Sequence, residues 1–229
     1  MSVIRVGSAP DSWGVWFPED PQQTPYGRFL DEVSASGYEW IELGPYGYLP
    51  TDPQQLRDEL AAHNLKLSAG TVFEHLHQDA QYHPHADSHV DTEENVYRFL
   101  DGTDSEYVNL CLDTGHISYC GGDNLAIIER APERIGYLHL KQVDPEVRAK
   151  VEAEDLPFGE AVKLGAMIEP PLGIPDLPPL LAAIEKLDID VFAIVEQDLY
   201  PCAVDVPLPI AQRTRKYLGS CGIPSVKFV

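Results

Sequence analysis

The stretch YVNLCLDTGHISYCGGDNLAIIERAPERIGYLHLKQV, residues 107–143, contains the pattern that decides the fold. Its two apolar runs, YVNLCLDTG and IGYLHLKQV, are typical of buried strands, and the segment DNLAIIERAPER between them has a helical period. A strand, a helix and a second strand in this order predict one unit of a parallel α/β sheet.

The same alternation repeats along the whole chain. Asp52 before Pro53 is a typical helix start, and Gly37 is a typical stop. With residues 107–115 and 135–143, the predicted strands number seven; the other five cover residues 3–10, 38–44, 65–73, 80–86 and 191–199. Helices are predicted within residues 24–37, 51–64, 91–102, 123–134, 176–188 and 207–222. Most strands are therefore followed by a helix.

One connection is too short for this architecture. Only EHLHQDA, residues 74–80, separates the third strand from the fourth, whereas parallel neighbours need a crossover of roughly a dozen residues or more. We predict that one helix–strand–helix unit is missing near residues 77–82. With it, an eighth strand would complete a (β/α)₈ TIM barrel, and we expect residues 1–229 to form a single domain.

Composition narrows the choice of partners and compartment. The chain of 229 residues has 44% hydrophobic residues and a formal net charge of −21, which opposes binding to nucleic acids and anionic membranes. The four cysteines form no C-x-x-C pair, and neither an apolar leader nor a run of about 18 apolar residues occurs. We predict a cytoplasmic protein with reduced thiols.

Polar residues end nearly every predicted strand. Active sites of TIM barrels lie at these ends. By strand alternation, His139 points away from Leu138 and Leu140, and His83 shares a strand face with His85. Gly115 is expected to let the chain turn between Asp113 and His116. The strand-end set is Glu42, Glu74, His75, His83, His85, Asp113, His116, His139, Lys141, Glu196 and Asp198.

Structural explanations compete for these residues individually. Asp113 is also a typical helix N-cap, Glu42 a solvated or capping carboxylate, and His139 a core histidine with satisfied hydrogen bonds. The glycine pair before Asp123 predicts a turn and a helix N-cap, since the chain has no G-x-x-x-x-G-K or G-x-G-x-x-G motif for a nucleotide. The set as a whole favours a functional site.

Several of these segments together resemble a known family. APDSWGVWFPEDP, GYEWIELGPYGYLP, LKLSAGTVFEHLH, YHPHADSHVDTEE, LCLDTGH, YLHLKQVD and VFAIVEQDLY are similar to the inosose dehydratase branch of the xylose-isomerase-like sugar isomerase/epimerase superfamily. DTGH and HLK occur across that superfamily, whereas SWG and YHPH indicate the inosose branch. The resemblance implies a divalent metal held by one residue from each of four strands. The matching positions are His83, where sugar isomerases have Glu, Asp113, His139 and Glu196.

The resemblance also implies a reaction. We expect dehydration of a cyclic keto-polyol, 2-keto-myo-inositol, in inositol catabolism, with a small polyol or keto-sugar as the substrate and homo-oligomerisation left open. A mixed His and carboxylate shell favours Mn²⁺ or Co²⁺, with Fe²⁺ or Zn²⁺ also suitable. His85, His116 and Lys141 are the expected catalytic residues, and Trp13, Glu42 and Glu74 the expected substrate contacts.

Three other functions remain open at this point. A sugar isomerase or epimerase would use the same enediolate and return the proton. An endonuclease for abasic DNA shares the barrel, but the charge of −21 opposes it. A catalytically silent sugar-binding barrel need not retain a transition metal. In each case residues 144–176 are too long for a simple loop and predict a mobile, partly helical lid.

Overall fold

The computed structural model describes residues 2–70 and 80–223. Within these ranges the chain forms nine strands and nine α-helices. The strands are β1 (Val3–Ser8), β2 (Trp40–Glu42), β3 (Lys66–Ala69), β4 (Ala80–Tyr82), β5 (Val108–Asp113), β6 (Ile135–Leu140), β7 (Gln142–Val143), β8 (Met167–Ile168) and β9 (Asp190–Val195). The helices are α1 (Tyr26–Ala35), α2 (Pro53–Ala62), α3 (Glu93–Asp101), α4 (Thr114–Tyr119), α5 (Asn124–Arg130), α6 (Pro145–Glu154), α7 (Phe158–Lys163), α8 (Leu177–Glu185) and α9 (Pro207–Ser220).

The chain divides into two compact units. The first unit comprises residues 2–4 and 80–193 of the described ranges, and the second comprises residues 5–70 and 194–223. The boundaries after residues 4 and 193 fall inside strands, so β1 and β9 contribute residues to each unit. No helix among the described residues is long and apolar enough to cross a membrane.

The first unit is built on strands β4, β5 and β6, which pair in parallel. In the β5–β6 pair, Leu112 lies opposite Leu138 and Asp113 lies opposite His139. Leu112 and Leu138 are buried, and α5, the second of the two helices between these strands, buries Ile127. Because the carboxyl ends of parallel strands meet at one edge, this register brings the two polar strand ends together.

The second unit contains strands β1, β2 and β3, which also pair in parallel. Phe29 and Leu30 of helix α1 are fully buried, as is Ile41 of β2. Gly7 lies where an added Cβ atom would come within 2.5 Å of the Trp40 carbonyl oxygen, so only glycine fits at this point of the strand pair.

Helix starts follow the predicted chemistry. The Asp52 side chain accepts hydrogen bonds from the backbone of Gln54 and Gln55 at the start of α2. Gly121 has a φ of 83°, and Asp123 caps α5 by accepting from the backbone N–H groups that follow it. The predicted turn and N-cap after Gly121 are therefore confirmed.

All seven predicted parallel strands are present, but the fourth is shorter than predicted. β4 ends at Tyr82, so His83 and His85 lie in the loop beyond it and do not share a strand face as predicted. Pro84, which has no N–H group to donate to a ladder, accounts for the early end. Within the described ranges no eighth strand joins the parallel sheets. Of residues 77–82, near which the missing unit is predicted, residues 77–79 lie outside the described part of the chain and residues 80–82 form β4.

Two further predictions concern the region after β5. Gly115 lies inside helix α4, and its φ is not positive, so the predicted turn at this glycine is wrong. The segment after β6 is partly helical, as predicted. Helices α6 and α7 lie in the chain between β7 and β8, which pair antiparallel. Its mobility stays a prediction, as does the single-domain organisation of the chain.

Candidate metal centre

Asp113 stands at the end of β5 and at the start of helix α4, and each of its carboxylate oxygens has a different role. Oδ1 accepts a hydrogen bond of 2.7 Å from the backbone N–H of His116 and so caps the helix. Oδ2 lies 3.1 Å from His83 Nε2, 3.4 Å from His139 Nδ1 and 3.4 Å from Lys141 Nζ. The capping interpretation of this residue is thus confirmed, while its functional interpretation stays a prediction.

Thr114 connects the ends of β5 and β6, which carry this cluster, through hydrogen bonds. Its hydroxyl donates to the backbone oxygen of Lys141 at 2.7 Å and accepts from the backbone N–H of the same residue at 3.0 Å. Asn124 in turn donates to the Thr114 backbone oxygen at 3.0 Å. The sequence analysis missed Thr114, although a hydroxyl residue directly after a strand-end carboxylate was a usable signal.

Several charges and hydrogen bonds determine the ionisation of Asp113. Its complete burial by itself raises the pKa, but the positive charge of Lys141, the electrostatic interaction with His116 and hydrogen bonds from His139 and His83 outweigh that effect. The pKa of Asp113 is consequently held well below its usual value. A carboxylate that stays ionised at neutral pH is ready to bind a cation.

His116 is held as a neutral imidazole. Burial, followed by the positive charge of Lys141, holds the pKa of His116 well below its usual value. Its Nδ1 accepts a hydrogen bond of 3.3 Å from the backbone N–H of Ala86, so that nitrogen carries a lone pair and the ring is not an imidazolium. Its Nε2 lies 3.3 Å from Lys141 Nζ.

The backbone of Ala86 also fixes His85. His85 Nδ1 donates to the Ala86 backbone oxygen at 2.7 Å, because a carbonyl oxygen can only accept. In the neutral ring, Nε2 of His85 therefore carries the lone pair. The rings of His85 and His116 are tilted by 40°, with their centroids 3.9 Å apart. One residue thus orients two imidazoles through its backbone alone.

Gly115 is required for packing against Lys141. A Cβ atom added at Gly115 would lie 2.5 Å from Cγ and 2.7 Å from Cβ of Lys141. These atoms are the near part of a side chain that is almost fully buried, so they have little room to move.

We expect Gly115→Ala to lower the free energy of unfolding by about 1–3 kcal/mol, because overpacking forces Lys141 away from its position. Gly27→Ala is the matched control, since Gly27 is also the second residue of a helix and an added Cβ there meets no atom within 4 Å. The control should stabilise the chain by about 0.4–1 kcal/mol. Urea unfolding of both variants measures the difference, and equal effects would contradict the packing role.

The donor atoms of the first unit fit a divalent transition metal. His83, Asp113 and His139 each offer one ligand atom, and these atoms lie within 4.8 Å of one another. Two imidazoles with an ionised carboxylate are the donor types that manganese, cobalt, iron and zinc accept, whereas calcium and magnesium prefer oxygen alone. The three predicted ligands of this unit are thus brought together.

The second unit contains the remaining predicted ligand, Glu196, directly after β9. Ligand atoms of Glu196, Asp11 and Asp198 lie within 4.8 Å of one another. Ser12, from the SWG motif, accepts from the backbone N–H of Gln197 at 2.9 Å and donates to the Val195 backbone oxygen at 3.3 Å. Ser12 therefore holds the strand end from which Glu196 extends, while the assignment of Glu196 as the fourth ligand stays a prediction.

The predicted substrate contacts have different surroundings. Trp13 is fully buried, packs edge-on against Phe29 at 5.1 Å and donates from Nε1 to Glu32 at 2.9 Å. These contacts account for a tryptophan at this position, and its substrate contact stays a prediction. Glu42 ends β2 and is buried, whereas Glu74 lies outside the described residues.

Residues 75–218, more than half of the chain, match the model of the xylose isomerase-like TIM barrel family. The chain belongs to this family. The observed order of parallel strands and helices agrees with a xylose isomerase-like TIM barrel, and the predicted fold class is confirmed.

Curated relatives within this family are inosose dehydratases. The protein from Geobacillus kaustophilus is 35% identical over 204 residues, which are 84% of this chain and 65% of the relative. The protein from Geobacillus thermodenitrificans is 34% identical over 143 residues, which are 62% of this chain and 48% of the relative. The chain therefore spans less than two thirds of the length of these relatives. The predicted resemblance to inosose dehydratases is confirmed.

Solved structures of the xylose isomerase-like type support the fold. The D-allulose 3-epimerase from Methylomonas sp. has a TM-score of 0.64 at 13% identity, with 96% of this chain and 98% of that chain covered. A xylose isomerase-like TIM barrel/4-hydroxyphenylpyruvate dioxygenase fusion protein has a TM-score of 0.65 at 14% identity, with 99% of this chain and 46% of that chain covered. At these identities the likeness concerns architecture alone.

Proposed function

We propose that this chain is a metal-dependent hydro-lyase that dehydrates a cyclic keto-polyol, 2-keto-myo-inositol, in inositol catabolism. The observation that carries the proposal is the convergence of His83 and His139 on one oxygen of the ionised Asp113 at adjacent strand ends. The similarity to inosose dehydratases supports the choice of substrate. The reaction takes place in the cytoplasm on a small molecule, and the proposal leaves homo-oligomerisation open.

The proposed metal ligands are His83, Asp113 and His139, with Glu196 as the fourth on the strength of its position in the sequence. Manganese or cobalt is the preferred ion, and iron or zinc also suits these donors. A bound divalent ion acts as a Lewis acid towards the carbonyl group and lowers the free energy of removing the neighbouring α-proton. The remaining steps belong to side chains of the protein.

His85 is the proposed base. Its Nδ1 is committed to the Ala86 backbone oxygen, so Nε2 is the nitrogen that takes the α-proton. The electrons of that C–H bond pass into the enolate, and Lys141 stabilises the negative charge on its oxygen. The hydrogen-bond geometry of Ala86 supports this choice of nitrogen, which the sequence alone left open.

His116 is the proposed partner of the departing β-hydroxyl. Since Nδ1 accepts from the Ala86 backbone, a neutral ring carries its hydrogen on Nε2. That N–H donates a hydrogen bond to the hydroxyl, and the Lys141 ammonium group, whose Nζ lies 3.3 Å from Nε2, supplies the proton with which the hydroxyl leaves as water. The β C–O bond breaks as the electrons of the enolate form the new C=C bond. Glu42 and Glu74 are the proposed acceptors for substrate hydroxyl groups.

Incubation of the full chain with 2-keto-myo-inositol and Mn²⁺ or Co²⁺ tests the proposed reaction. Dehydration is expected to produce the ultraviolet absorbance of a conjugated enol-dione, and removal of the metal by a chelator should abolish it. Formation of an isomeric ketose without loss of water would identify an isomerase or epimerase instead. Absence of any reaction in metal-loaded protein would overturn the proposal.

A further inference from the structure

Phe158 is the first residue of helix α7, and its ring covers the paired imidazoles. The ring centroid of Phe158 lies 5.1 Å from that of His85 and 4.9 Å from that of His116. Phe158 is itself buried. An aromatic ring against both imidazoles limits their rotation, and His116 is almost fully buried beneath it.

Asp87 ties Phe158 to the loop that carries His85. Its Oδ2 accepts a hydrogen bond of 2.7 Å from the backbone N–H of Phe158, although the two residues are 71 positions apart in the chain. The residue before Phe158 is Pro157, whose side chain provides no cap for helix α7. Asp87 therefore satisfies a backbone donor that the segment itself leaves without a side-chain cap.

Asp87 adopts a backbone conformation that side chains rarely take. Its φ is 61°, in the left-handed region where glycine is at ease and where Asp and Asn are the commonest exceptions. The backbone N–H of Ser88 donates to the His85 oxygen at 3.1 Å across this turn. The turn thus aims the Asp87 carboxylate at Phe158.

Residues 144–168, which we call the closing segment, contact the rest of the first unit at the base and at the tip of the segment. At the base, β7 pairs with β8, and the Asp144 backbone N–H donates to the Ala166 oxygen at 2.9 Å. At the tip, Phe158 contacts Tyr119 of α4 at 5.3 Å and bonds to Asp87. The base contacts involve neither Asp87 nor Phe158, so a substitution at Asp87 removes the tip bond without touching them.

We propose that the bond between Asp87 and Phe158 latches the closing segment over His85 and His116, with Phe158 as the positioning residue of this pair. The effect on catalysis rests on the proposed function, since it concerns the two imidazoles assigned to proton transfer. The latch itself limits the access of solvent and reagents to the two histidines, and this access can be measured without any substrate.

Two substitutions at Asp87 separate the latch from the turn. Asp87→Gly removes the acceptor and relieves the left-handed backbone, whereas Asp87→Asn keeps both an acceptor oxygen and the turn. The rate of diethylpyrocarbonate modification of His116, read by mass spectrometry, reports access to the pair. His63, whose side chain is 18% exposed, is the internal reference.

We expect modification of His116 relative to His63 to be about 10–100-fold faster in Asp87→Gly, as for the loss of a hydrogen bond to a charged group. Asp87→Asn should remain within about threefold of the parent, since its amide oxygen still accepts. The latch would be overturned if His116 in Asp87→Gly were modified at the parent rate, or if both variants were modified faster by the same factor.

Phe158→Leu tests the positioning role. This variant should lower kcat by about 10–100-fold with KM near that of the parent, because misplaced imidazoles transfer protons poorly while substrate contacts remain. An unchanged kcat with a lower melting temperature would reduce Phe158 to a packing residue. Failure of the parent to dehydrate 2-keto-myo-inositol would remove the proposed function and leave the modification test of the latch intact.

Discussion

Asp113→Asn is expected to lower the affinity for Mn²⁺ or Co²⁺ by at least about 10–100-fold, the range seen when even indirect supports of a metal site are removed. The new amide keeps an oxygen for the cap on helix α4, since Asn caps helices as well as Asp does. It replaces the other oxygen by a donor that faces His83, His139 and Lys141. Titration calorimetry with each metal measures the change.

The same substitution should cost stability. Lys141 is only 2% exposed, and loss of the Asp113 charge leaves its ammonium group without that compensation, at a cost of about 3–5 kcal/mol. In the double variant Asp113→Asn with Lys141→Met, both charges are gone, so the free energy of unfolding should rise again while metal affinity stays low. Recovery of metal binding together with stability would show that Asp113 acts only through folding.

Asp123→Asn is the matched control for this pair of measurements. Asp123 caps helix α5 through one carboxylate oxygen, as Asp113 caps helix α4, but the hydrogen bonds of the Asp123 cap are exposed. The Asp123→Asn variant should bind metal with the affinity of the parent. Parent-like affinity in Asp113→Asn as well would remove Asp113 from the proposed metal centre.

His116→Gln is expected to lower turnover by about 10²–10⁴-fold, the usual contribution of proton transfer by a positioned side chain. Metal content should stay near that of the parent, because His116 Nε2 lies 4.0 Å from Asp113 Oδ2 and its ring is not among the proposed ligands. Elemental analysis, melting temperature and turnover on one preparation provide the three readouts.

His63→Gln controls for the loss of a histidine as such. His63 is partly buried and contacts the Glu59 backbone and Asp31, and it has no proposed part in the reaction. Turnover should remain at the parent level in this variant. If His116→Gln also kept full turnover and lost only melting temperature, His116 would be a structural residue of helix α4.

Much of the fold was predictable because its signals are local. Apolar runs and helix starts predicted the seven parallel strands, and the strand register then placed Asp113 beside His139. The end of β4 was predicted too late, because one proline outweighed the apolar pattern on both sides of it. Gly115 was interpreted as a turn, since a close approach of Lys141 leaves no trace within nearby sequence.

The supporting groups of the candidate site were less accessible to sequence analysis. Ala86 acts through its backbone N–H and oxygen, and every residue except proline provides both groups. The residue type at this position therefore does not predict the role. Phe158 reaches the histidines from a segment far along the chain, and long-range contacts of this kind have no periodic pattern. Thr114 alone had a local clue in its place directly after Asp113.

The backbone of Ala86 makes two hydrogen bonds, one accepted from His85 and one donated to His116, and they affect how this site can evolve. Because both come from the peptide groups, replacing the side chain by another small one leaves the tautomers of His85 and His116 unchanged. Proline is the exception, since it lacks the N–H that His116 requires. The proposed proton transfer is thereby insulated from most mutational drift at position 86, and only the geometry of the backbone reveals the role of this residue.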